Sequence, residues 1–241
     1  MNQFISIYRE FDKTVRDNYE KLDLKCLDEM EFESEKALSY YSKVISDNKA
    51  IHPFHSYEKY SELSFLSGDI KYYTAILYLL KNYINNPIKE NRTYFQTMED
   101  KRYLSYANIL FQTFYNYWDR IGDLIYSFLK TSLKERDVYF VTVLENIKKD
   151  VNHSENFNEL YNLFETKLKS LFSKRKEIVH YLGLGTEIHV GFFKNYSKTD
   201  EFIGNQNYKE KLPLFFNENI NYTFNGFQLS LKLIDEFGIK K

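Results

Sequence analysis

Cysteine, proline and glycine are all scarce in this chain of 241 residues, which holds 1, 3 and 8 of them. The lone cysteine, Cys26, excludes an intramolecular disulfide, a cysteine zinc cage and an iron–sulfur cluster, and it points to a reducing compartment. Glycine and proline together fall far below the roughly 12% of average chains, which disfavours a many-stranded sandwich or barrel. Charge of one sign is missing as well. The 33 Lys and Arg against 34 Asp and Glu leave −1, so the chain is neither a free basic arm for nucleic acid nor an acidic solvating tail. No apolar run approaches the roughly 20 residues of a membrane span. The most apolar stretch, residues 74–80, is cut by Lys81. Residues 1–6 have no charged region followed by an apolar run, so no secretory signal is read there and the expected compartment is the cytoplasm. GxGxxG, GxxxxGK[ST] and GxSxG are absent too, leaving nucleotide hydrolysis and α/β-hydrolase chemistry without support.

What is present is a globular composition, 43% hydrophobic and 28% charged, with an 18% share of aromatics that predicts a core packed with rings. No repeat and no low-complexity linker divides the chain, so a single helical domain over 1–241 is expected. Residues 1–22 and 28–46 read as helices, the second because Asp28, Glu29, Glu31, Glu33 and Glu35 suit the positive end of a helix dipole. A loop follows at His52-Pro53, then a helix N-capped by Asp69 that runs from Ile70 to about Asn85 and is ended by Pro87. The clearest pattern spans 98–130, with apolar residues at 107, 111, 114, 118, 121, 125 and 128. Spacings that alternate 4 and 3 over three heptads mark a bundle helix. Residues 137–149 read as a further helix. A second long helix runs from 154 or 155 to 182, striped at 160, 164, 168, 171, 175, 178 and 182 and stopped by Gly183. Between 183 and 222 the period fades; only Glu187–Phe193 alternates, suggesting a short hairpin strand, and a last helix spans 224–237 before Gly238. The expected fold is all-α: a helical bundle with two long antiparallel helices and an irregular or short-hairpin segment near 183–222.

Position 175 stands out because it lies on an apolar stripe and is Arg175. A buried guanidinium is costly unless it is paired, which calls for a carboxylate or an anionic ligand; the other reading is a stem packed in the core with its head reaching solvent. Partners are offered by the 98–130 helix, where Asn116, Asp119, Arg120 and Asp123 form a narrow polar ridge inside an aromatic run. Asn and Asp are poor helix formers, so a purely solvated face does not explain their choice, although it stays open. His180 follows Arg175 by five residues. On one regular helix the two side chains point roughly 140° apart, so they converge only if the helix ends or distorts near Ile178, or if a second copy supplies the complementary group across a two-fold axis. Lys167, Lys169, Lys174, Arg175 and Lys176 add positive charge at the helix's end, compensating its dipole and also attracting phosphate.

An Arg, four intervening residues and a His at the end of a long helix, with an upstream helix reading Tyr117-Trp118-Asp119-Arg120-Ile121-Gly122-Asp123, resembles the HEPN (higher-eukaryote-and-prokaryote nucleotide-binding) superfamily, and a clostridial-type all-helical branch most of all. The resemblance covers about 98–182, with 1–97 and 183–241 packed on that core. It implies an all-α bundle, a homodimer with both Arg/His pairs facing a shared cleft, and a metal-independent endoribonuclease acting on single-stranded RNA, of the kind found in toxins and defence effectors with an antitoxin or sensor partner. Arg175 would hold the scissile phosphate and His180 would act as general acid or base for attack by the 2′-hydroxyl. Asp119 completes the candidate catalytic set, with Asn116, Asp123, Lys176 and Tyr181 as candidate substrate contacts. Two positions depart from the family pattern: Lys176 follows the Arg where a short polar residue is common, and Tyr181 follows the His directly. The alternative reading is a HEPN module that binds nucleotide, RNA or protein without cleaving.

No cofactor and no metal are expected. His52 and His55 flank Pro53 without a carboxylate-rich helix, His153 and His189 stand alone, and Cys26 reads as a small core residue.

Overall fold

The computed structural model describes residues 2–53, 55–85, 95–195 and 198–241. Its elements in chain order are α1 (Asn2–Lys21), β1 (Glu31–Phe32), β2 (Glu35–Lys36), α2 (Ala37–Asp47), β3 (Asn48–Lys49), α3 (Ser56–Leu80), α4 (Met98–Phe128), α5 (Phe140–Val151), α6 (Glu155–Leu163), α7 (Lys169–His180), α8 (Leu184–Lys194), α9 (Thr199–Phe237) and β4 (Ile239–Lys240). The protein is an all-α helical bundle, and its strands are two-residue pairs: β1 with β2 and β3 with β4.

The heptad stripe of α4 does what its spacing requires. Ala107, Phe111, Phe114, Trp118, Ile121, Ile125 and Phe128 are all buried. Thr97 and Asp100 start the helix reciprocally: the Asp100 amide donates to Thr97 Oγ1 (3.2 Å) and the Thr97 amide to Asp100 Oδ2 (3.0 Å). The second long helix is broken by a π-turn at Phe164–Leu168 between α6 and α7. Its stripe is buried at Leu160, Phe164, Leu168 and Leu171, whereas Leu182 is 47% exposed. The stripe thus leaves the core just where Arg175 and His180 stand.

Four expectations differ. Residues 28–46 are not one helix: Glu33 and Ser34 take positive φ (52° and 68°) and turn β1 into β2. The acidic run serves tertiary contacts, Asp28 receiving hydrogen bonds from Tyr60 Oη (2.9 Å) and Ser64 Oγ, and Glu31 pairing with Lys36. Asp69 is no cap, because α3 already begins at Ser56 and buries Tyr60, Leu63, Ser67 and Ile70 on one face. Pro87 lies outside the described residues. Residues 187–193 form no hairpin strand; α8 buries Leu184, Ile188 and Phe192 at i, i+4 and i+8. The helix expected to begin at 224 begins at Thr199 and runs through Pro213. Its early stripe was hidden by Lys209, a fully buried cation at an apolar position, which is held by Asp100 Oδ1 and the Asn85 carbonyl, both at 2.6 Å.

The chain forms two compact units, the first of residues 1–24, 70–112 and 172–218, the second of 25–69, 113–171 and 219–241. In the first, Phe111 meets Phe216 edge-on with centroids 4.9 Å apart, and Phe192 meets Phe202 at 5.1 Å. In the second, Trp118 packs on Phe140 (4.8 Å), and Phe227 gathers Phe32 and Tyr41. Gly122 is required there, since a Cβ would lie 2.7 Å from the Phe140 backbone.

Candidate functional site

Arg175, Lys176, His180 and Tyr181 lie in the first unit; Asn116, Asp119 and Asp123 lie in the second. α7 stays helical through His180, and the Tyr181 amide still donates to the Glu177 carbonyl at 2.9 Å. No distortion at Ile178 swings the pair together. Within one chain Arg175 and His180 keep the roughly 140° separation of a regular helix.

Arg175 is half-buried and donates from Nε to Gln112 Oε1 at 3.2 Å. Its observed acceptor on α4 is therefore a neutral amide. One residue before it, Lys174 meets Glu177 of its own helix at 2.8 Å and reaches across to Glu187 of α8 at 2.7 Å, with the Tyr208 ring 5.5 Å away. Burial works against the Lys174 charge, but the two carboxylates outweigh it and hold the ammonium above its ordinary range. Burial likewise pushes the Tyr208 phenol up to about 12. Beyond His180 the chain turns at Gly183 into α8, whose first amide, Leu184, donates to Asn108 Oδ1 at 3.2 Å. Lys176 and His180 are exposed. Around the histidine, Val179 (50%), Tyr181 (76%) and Leu182 (47%) place apolar surface in solvent.

The ridge on α4 has partners of its own. Asp119 Oδ1 accepts from the Phe140 amide at 3.4 Å, at the start of α5. Asp123 receives Lys59 (3.1 Å) and Arg120, and Arg120 also meets Glu62 at 2.6 Å. Burial disfavours the Arg120 charge, yet Asp123 and Glu62 more than offset it. Asn116 is half-buried. Sequence reasoning passed over Gln112 and Asn108, although the signal was there: Asn108, Gln112 and Asn116 recur at i, i+4 and i+8, a line of amides on an aromatic helix.

Among the described residues, no group of three or more His, Cys, Asp or Glu is placed to hold a metal ion. His52 stacks on Tyr126 with centroids 4.1 Å apart, and His153 meets Phe237 edge-on at 5.3 Å. Among the same residues no helix is long and apolar enough to cross a membrane.

The family model for Cthe2314-like HEPN matches residues 24–235. The chain belongs to this HEPN family. The matched stretch extends well beyond 98–182 and takes in α2, α3, α8 and most of α9. HEPN domains have nucleotide- and RNA-related functions, which sets the coarse functional class. No curated protein and no solved structure matches the chain.

Proposed function

We propose that this HEPN protein is a metal-independent endoribonuclease of single-stranded RNA that works as a homodimer in the cytoplasm, in the manner of a toxin or defence effector with an antitoxin or sensor partner. The observation that supports it is the end of α7: Arg175 is half-buried and oriented by a neutral acceptor, while His180 projects into solvent among exposed apolar residues. The 2′-oxygen attacks phosphorus, the P–O5′ bond breaks, and the products are a 2′,3′-cyclic phosphate and a 5′-hydroxyl. Arg175 holds the non-bridging oxygens as charge builds on them, and His180 takes the 2′ proton or returns one to O5′. Because the two side chains diverge on one helix, a second copy of α7 completes the pair across a two-fold axis. Lys176 and Tyr181 contact the flanking phosphate and base. On the stretch of α4 that belongs to the second unit, Asn116, Asp119 and Asp123 form a separate candidate polar set, with Asp119 bonded to the first turn of α5.

The test is cleavage of a labelled single-stranded RNA in EDTA. The wild-type protein should cut it to cyclic-phosphate ends, leave the same DNA intact, and lose activity by at least about a hundredfold in His180→Ala. RNA left intact across a broad pH range overturns the proposal. A second reading, a non-catalytic module that binds RNA, nucleotide or protein, is favoured by the apolar surface of Val179, Tyr181 and Leu182, which suits an interface without chemistry.

A further inference from the structure

In the second unit α4, α5 and α9 end beside one cavity of about 270 Å³. Phe128, Val151 and Phe237 are the last residues of these helices, and all of them line it. Buried Leu129 and Ile147 join Phe128 and Val151 in an apolar floor. Ile239 adds a more exposed wall, held in place because β4 pairs with β3 through Ile239 and Lys49. The cavity is thus framed by regular elements.

Size and charge narrow what it takes. An apolar cavity of roughly 150 Å³ admits benzene, so this one has room for a single aromatic ring with a short chain, and it falls below the roughly 300 Å³ where drug-sized sites begin. The rim carries one charge of each sign, Lys130 and Asp150, both exposed. Neither side chain makes a hydrogen bond or ion pair among the described residues. Side-chain charge alone is therefore balanced. The helix ends break the tie, since each helix carries roughly half a negative charge at its C-terminus and α4, α5 and α9 all end here. Lys130, just past the end of α4, offsets part of that field. With the Asp150 carboxylate and the rings of Phe128 and Phe237 added, the balance favours a cation on an apolar body.

The geometry points to a binding site for a small organic monocation, a primary amine carrying one apolar ring, with the ring on the floor and the ammonium at the rim beside Asp150. None of its residues belongs to the Arg175–His180 segment, so it is independent of the ribonuclease reading. The probe is phenethylamine, titrated into the full chain and followed by ligand-observed NMR. Phenylalanine and 3-phenylpropionate keep the ring and change the charge to a zwitterion and an anion. The amine should bind, and about fivefold more tightly than either, the scale of one exposed charge contact. Two rim variants then carry opposite signs. Asp150→Asn removes the attracting charge and should weaken the amine by about fivefold, whereas Lys130→Met removes the opposing charge and should tighten it. Both positions are exposed, so neither change reaches the core. An amine that does not bind, equal affinities for the three probes, or tighter binding of the zwitterion or the anion overturns the proposal. So does unchanged affinity in Asp150→Asn, or a Lys130→Met protein that does not bind the amine more tightly than wild type.

Discussion

Asp69 sits in the middle of α3 rather than at a helix start, and burial lifts its carboxyl above the ordinary carboxylate range. A carboxyl with a raised folded-state pKa binds its proton more tightly folded than unfolded. It therefore weakens the fold at neutral pH, and that effect disappears as pH falls below the unfolded value of about 3.9. Asp69→Asn should raise the melting temperature at pH 7, with a gain that shrinks to nothing in acid; an equal gain at both pH values would exclude this cause. Lys209 is the opposite case. Burial pulls its ammonium below the usual range while Asp100 opposes the shift. Lys209→Met would leave Asp100 buried without its cation and should cost about 3–5 kcal/mol in urea unfolding. Gly226 is constrained by packing alone, because a Cβ there would collide with the buried indole of Trp118. Gly226→Ala should cost about 1–3 kcal/mol, measured the same way.

Along α9, Pro213 lies well inside the helix and has no amide hydrogen, so the carbonyl four residues back loses its helical donor. That carbonyl belongs to Lys209, and the Tyr103 hydroxyl donates to it at 2.7 Å from α4. The phenol is itself pushed well above its ordinary range by burial. The proline and the tyrosine are therefore one feature. Tyr103→Phe should destabilise by about 1–3 kcal/mol, the cost of a buried unsatisfied carbonyl. Pro213→Ala restores an amide donor, so in the Tyr103→Phe background it should recover most of that loss. Additive effects in the double-mutant cycle would show that the two residues are not coupled.

For the molecule as a whole, the apolar surface around His180 sets the expected assembly. Val179 in the last turn of α7, and Tyr181 and Leu182 just beyond it, are exposed in a single chain. The proposed homodimer covers them, so a dimer by light scattering is expected at micromolar concentration. Tyr181→Asp with Leu182→Asp should give a folded monomer that no longer cleaves RNA, because each His180 loses the opposite copy's Arg175. A monomeric wild type, or a doubly substituted protein that stays dimeric, would remove the two-fold site.

Local pattern was enough to read α4 from its heptads, α5 near its observed limits, the end of α9 at Gly238, and the HEPN family from the resemblance carried by Arg175 and His180. In each case the deciding property is local: spacing along one helix, or residue types five apart. What sequence could not decide depended on partners distant in the chain. Lys209 hid the beginning of α9 because the groups that make a buried cation tolerable, Asp100 and the Asn85 carbonyl among them, lie far away in sequence. The acidic run at 28–35 looked like a helix start because nothing local announces that Tyr60 and Ser64 receive Asp28. Arg175 called for a carboxylate, an anionic ligand or a solvent-reaching head, and nothing local announces that its Nε donates to Gln112. Burial and charge state are properties of the surroundings of a residue, and those surroundings exist only once helices far apart in the chain have packed.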